Sequence, residues 1–166
     1  MHRFIAICLC LSLIFIAGCS SQPIDKPSEN KTDDIQYTET KKYAEDISDH
    51  AMSISAQLKL IDKDIASDMD SSLKTAAIET NTAVLRMHLS KARDITPPGH
   101  LKDLHQEYLA SLEKINKGLT YLEQWAKNGN EDALAQGQEL IAEGLQEGSS
   151  FAKQLNTEIL IERQHN

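Results

Sequence analysis

Serine followed by lysine three residues later occurs twice, at Ser71-Ser72-Leu73-Lys74 and Ser111-Leu112-Glu113-Lys114. At that spacing a lysine amine can draw the proton from a serine hydroxyl and make it a nucleophile. Neither Ser-Asp-Asn nor Lys-Thr-Gly, the partners this chemistry uses, is present. Polar pairs at i, i+3 are ordinary on helix surfaces, so both matches read as coincidence. Asp62, Asp64, Asp68 and Asp70 take positions 1, 3, 7 and 9 of a calcium-loop count. Ser67 stands where the loop needs glycine and Leu73 where it needs a bidentate glutamate, so a solvated acidic loop is the better reading. Of the histidines His50, His88, His100, His105 and His165, none has the i, i+4 partner of a helical zinc site. His100 and His105 are five apart, on diverging faces. His105 borders an apolar stripe, where covering the Pro97-Pro98 turn is the expected role. The sequence therefore predicts no catalytic residue, no metal site and no cofactor, and the chain reads as a non-enzyme.

The cysteines carry a different chemistry. Met1-His2-Arg3 is followed by an apolar run from Phe4 to Ile16, then Ala17-Gly18-Cys19. A cationic start and an apolar stretch shorter than the ~20 residues of a membrane-spanning helix make a signal peptide. Ile16-Ala17-Gly18-Cys19 resembles the lipobox of bacterial lipoproteins, in which an aliphatic residue and two small ones precede a Cys. The resemblance implies cleavage before Cys19 and a diacylglycerol on its thiol. Two acyl chains, at ~0.8 kcal/mol per buried CH₂, anchor stably where one would not. Cys8 and Cys10 leave with the leader, so no internal disulfide can form.

Removing 18 of the 166 residues, Arg3 among them, changes the formal charge from −8 to −9. An acidic chain with only 5% aromatic residues is unsuited to nucleic acid, whose phosphates reward basic faces and whose bases reward stacking. Anionic headgroups would repel the folded part, leaving the acyl chains to hold it near the membrane. Residues 19–35, with Pro23, Pro27 and little to bury, read as a disordered tether reaching roughly 20–25 Å.

Beyond the tether, residues 36–166 carry a helical period. A helix over about 36–61 turns Ala44, Ile47, Ala51, Ile54, Leu58 and Ile61 inward. A second, about 69–95, turns in Leu73, Ala77, Thr80, Val84, Met87 and Ala92; Ile65 keeps the period between them, so the two could be one. Thr96-Pro97-Pro98-Gly99 stops the pattern. A third helix, about 100–127, carries Leu101, Leu104, Tyr108, Leu112, Ile115, Leu119, Leu122 and Trp125. Asn128-Gly129-Asn130 supplies a left-handed C-cap and an N-cap, and a fourth helix, about 131–161, carries Leu134, Ile141, Leu145, Ala152, Leu155 and Ile159. The prediction is an all-α, antiparallel bundle of three to four helices. Short turns then set the partners: Leu122 with Gly137, Ile115 with Gly144 and Tyr108 with Phe151; Ala77 with Leu119 and Val84 with Leu112; Leu58 with Leu73, Ile54 with Ala77 and Ile47 with Val84. Gly137, Gly144 and Gly148, each costing ~1 kcal/mol inside a helix, are explained by large residues of the third helix seated against them.

Lipobox, polar tether, helices around Ile95-Thr96-Pro97-Pro98, then His105, Tyr108 and Leu109, and finally Ile141 and Gly144 together resemble small Bacillus-type lipoproteins of unknown function. The resemblance implies a helical body on the outer face of a Gram-positive cytoplasmic membrane, and it brings no catalytic residues. The expected function is an interaction module that binds an envelope protein or peptide through a helix face. A carrier of a small apolar ligand between the helices is the alternative.

Overall fold

The computed structural model describes residues 31–165; Cys19, the leader before it and the tether as far as residue 30 lie outside the described residues. Four α-helices and no strand are found among the described residues: α1 (Lys31–Ile65), α2 (Ser71–Lys91), α3 (Lys102–Asn128) and α4 (Glu131–His165), with 3₁₀ turns at Ala92–Asp94 and Gly99–Leu101. None is long and apolar enough to cross a membrane. The 66–70 connection separates α1 from α2, so the body has four helices rather than three. α1 starts at Lys31, inside the stretch 19–35 read as tether. Tertiary contact accounts for the extension: Gln36 and Thr40 reach Glu162 near the end of α4, at 3.0 and 3.1 Å, and an ordered partner favours an ordered first turn.

α3 and α4 pack most closely, and their register is the predicted one. Tyr108 stacks on Phe151 with ring centroids 4.8 Å apart. A Cβ at Gly144 would lie 2.6 Å from the Ser111 carbonyl oxygen and 2.7 Å from Ile115 Cγ1, and one at Gly137 would lie 2.9 Å from Leu122 Cδ2. Glycine here exchanges helix propensity for a close approach of two backbones. Gly118 does the same from α3, its Cβ position 2.7 Å from the Gly137 carbonyl oxygen. Gly129 has φ 68° and its N–H bonds to the Trp125 carbonyl at 2.7 Å. Asn130 Oδ1 accepts from the Asp132 and Ala133 N–H groups at 3.0 and 3.4 Å, capping α4.

The predicted placement of α2 is corrected. Its buried stripe is Ile78, Thr82, Leu85 and Leu89, continued by Ala92; Leu73 and Met87 are 59% and 51% exposed, Thr80 is exposed, and Ala77 and Val84 are half-buried. The helix is turned by one residue, about 100°. Its register on α1 moves with it: Gln57 Nε2 bonds to Asn81 Oδ1 at 2.8 Å and His50 Nε2 to the His88 carbonyl at 2.7 Å, one heptad beyond the predicted pairs. On α3, Thr75 Oγ1 donates to the Ala126 carbonyl at 2.6 Å, more than a turn beyond the predicted level. The cause is a helix with two apolar stripes, of which the one with bulkier members, Ile78, Leu85 and Leu89, is buried.

Candidate functional site

α1 turns Thr40, Tyr43 and His50 inward among its apolar side chains, where they meet polar groups of α2, α3 and the Gly99–Leu101 turn. His50 is buried between Tyr108 Oη, 2.6 Å from Nδ1, and the His88 carbonyl, 2.7 Å from Nε2. A carbonyl only accepts, so Nε2 carries the proton and Nδ1 accepts from Tyr108. Burial pushes the His50 ring below the usual imidazole range, outweighing the favourable bond to the His88 carbonyl. Tyr43 Oη lies 2.8 Å from His105 Nδ1; burial lowers the His105 ring likewise and raises both phenols well above their ordinary value. His105 therefore bonds across the core to α1, in place of the expected cover over the Pro-Pro turn.

Toward the end of the bundle, Glu162 Oε1 receives Gln36 Nε2, Thr40 Oγ1 and His100 Nε2 at 3.0, 3.1 and 2.9 Å. Tyr43, His105 and Tyr108 are only 3 to 4% exposed. Buried to that degree, Tyr43 bonds to His105 and Tyr108 to His50 across the core, and these bonds orient the helices.

The other sequence candidates are dispersed. Lys74 Nζ donates to the Ile65 carbonyl at 3.3 Å, and Lys114 pairs with Glu143 and Glu147 at 3.2 and 2.6 Å, so neither lysine serves its serine. Ser111 is buried and donates to the Tyr108 carbonyl at 2.7 Å. Asp64 accepts from Asn81 Nδ2 at 2.6 Å, Asp70 is the N-cap residue of α2, and burial raises the Asp62 carboxyl. Among the described residues no group of three His, Cys, Asp or Glu side chains is arranged to hold a metal ion.

Sequence reasoning missed a groove between α2 and α3, of about 880 Å³, lined by Leu89, Leu109 and Leu112 with Arg86, Arg93 and Gln106. Arg86 is fixed by Glu123 at 3.2 Å, by Thr120 at 3.1 Å and by Asn116. Arg93 makes no ion pair or hydrogen bond among the described residues. The groove thus sets the Arg93 guanidinium, which can take a carboxylate in a bidentate pair, beside Leu109 and the edges of the largely buried Leu89 and Leu112, with Glu113 also in its lining. Its sequence signal is Arg86 and Arg93 seven residues apart with Leu89 between them. The signal is hidden when the opposite stripe of α2 is read as inward. Comparison with known family models, curated proteins and solved structures finds no match to this chain.

Proposed function

We propose that this chain is a lipid-anchored interaction module on the outer face of the cytoplasmic membrane, without enzymatic activity of its own. Residues 1–18 are removed, Cys19 carries the lipid, and the bundle binds an envelope protein segment in the α2–α3 groove. The observation that supports this best is the groove itself: about 880 Å³ beside Leu89, Leu109 and Leu112, with Arg93 lacking a partner among the described residues of an acidic chain. An apolar segment bearing one carboxylate fits that pattern, because a free arginine in an acidic surface gives specificity at little cost in desolvation. Carriage of a small apolar ligand has less support. The seam lined by Gly144, Gly148 and Phe151 offers about 50 Å³, far below the ~300 Å³ at which small-molecule pockets begin.

Two measurements test the reading. Intact mass of the membrane-extracted chain is expected to show a protein starting at a lipidated Cys19; an unmodified chain in the medium would refute the anchor. A photoreactive residue at Gln106 is expected to crosslink in cells to a specific envelope protein, with the adduct reduced about tenfold by Arg93→Glu. Adducts identical to those from a probe at Glu45, on the outer face of α1, would refute the groove.

A further inference from the structure

The stripe that the fold leaves outside needs a reason. Leu73, Ala77, Thr80, Val84 and Met87 follow the four-three spacing of a helix–helix seam. Ala76 and Ala83, both exposed, flank them. From Leu73 to Met87 this face of α2 carries no charge, in a chain where 25% of residues are charged. The hydrogen bonds that Asn81 accepts from Gln57 and donates to Asp64 of α1 put Leu60, 47% exposed, and Ala56 at the level of its middle. The uncharged stripe is thus about 21 Å long on α2, and Ala56 and Leu60 of α1 widen it at its middle.

We propose that this face pairs two copies of the chain, with their α2 helices antiparallel about a two-fold axis at Thr80. Three features select a second copy in that direction. First, antiparallel pairing about Thr80 brings Leu73 of one copy level with Met87 of the other and Ala77 within one residue of the larger Val84, so the smallest member of the stripe faces a branched one. Parallel pairing would put Ala77 on Ala77 and leave a gap. Ala76 and Ala83, meeting each other's copies, let the helices approach closely.

Second, charges at the ends of the stripe complement each other. Asp68 and Asp70 precede α2 and Lys91 ends it, and none of the three makes an ion pair among the described residues. Antiparallel pairing sets both aspartates of one copy beside Lys91 of the other, twice per pair; parallel pairing sets like against like. Third, two bodies of charge −8 repel over most of their surfaces, and a charge-free face is where they can approach. A closed isologous pair also leaves the α2–α3 grooves of both copies open.

The test uses the full chain in its own cells with a short bis-maleimide crosslinker. Thr80→Cys is expected to give a covalent dimer at least tenfold faster than Glu45→Cys. Leu73→Cys and Met87→Cys, expressed together, are expected to crosslink to each other, and each alone only weakly. Adding Ala83→Glu to Thr80→Cys is expected to reduce the dimer at least tenfold while the circular dichroism melt stays in place, which separates lost pairing from lost folding. Lys91→Asp is expected to weaken pairing and Lys91→Asp with Asp68→Lys to restore it. Crosslinking at Thr80 no faster than at Glu45, including a case where position 80 crosslinks only to a different protein, overturns the proposal. Strong self-crosslinking of Leu73→Cys alone overturns the antiparallel arrangement.

Discussion

At the scale of single residues, the interior is specified by hydrogen bonds whose direction can be deduced. The His88 carbonyl fixes the proton on His50 Nε2, so Tyr108 must donate to Nδ1. Tyr108→Phe keeps the stack on Phe151 but leaves a buried ring nitrogen unpaired. The expected loss is ~1 to 3 kcal/mol by chemical denaturation; an unchanged midpoint would mean that the bond contributes nothing. The same histidines set a pH dependence. Burial lowers both rings in the folded state, so above about pH 6.5 folded and unfolded chains alike hold them neutral and their contribution is complete. As pH falls through that value the unfolded chain takes up protons first, and stability declines until the folded rings protonate as well. Denaturation midpoints are expected to fall from pH 7.5 to pH 5.5, and His50→Gln with His105→Gln to flatten that slope. None of this pairing was legible in the sequence. Histidines sixty residues from their tyrosine partners carry no local signal, and they read as isolated side chains near apolar stripes.

At the scale of helices, the glycines divide into those that are needed and one that is not. A Cβ at Gly144 meets backbone and side chain at 2.6 and 2.7 Å, whereas at Gly148 the nearest atom is Ser111 Oγ at 3.6 Å. Gly144→Ala is expected to destabilise despite its gain of ~1 kcal/mol in helix propensity, and Gly144→Leu by ~1 to 3 kcal/mol or more. Gly148→Ala is expected to be neutral or to stabilise by up to ~1 kcal/mol. Equal effects at the two positions would contradict the close approach of α3 to α4. That contact was legible in advance because α3 has one broad apolar stripe and Gly137 and Gly144 fall opposite Leu122 and Ile115; the same reading of Gly148 is corrected, since no large α3 residue is seated against it. α2 was not legible, because Leu73, Val84 and Met87 compete with Ile78, Leu85 and Leu89 and a heptad slip satisfies either set. Thr82 is a polar member of the buried stripe. Its hydroxyl donates to Glu123 at 2.8 Å, a cross-helix bond that hydropathy alone does not reveal.

At the scale of the whole molecule, the strongest seam joins α3 to α4 and the polar network gathers near the Pro-Pro turn. Amide hydrogen exchange is expected to be slowest along Leu112, Ile115, Leu119 and Leu122, all buried. It is expected to be fastest in the 66–70 connection, which lies outside the helices; the reverse order would mean that α3 and α4 are not the stable unit. The bonds from Gln36 and Thr40 to Glu162 have one more consequence. They bring the first turns of the bundle and its last turn to the same place, so the chain enters and leaves the fold through a single doorway. The order of the helices is then a matter of where the ring is cut. A short linker from α4 to α1, with new ends opened at Gly129, is expected to give a circular permutant with the same near-complete helicity. By the same geometry the whole body could be spliced into a surface loop of another protein without prising that loop apart.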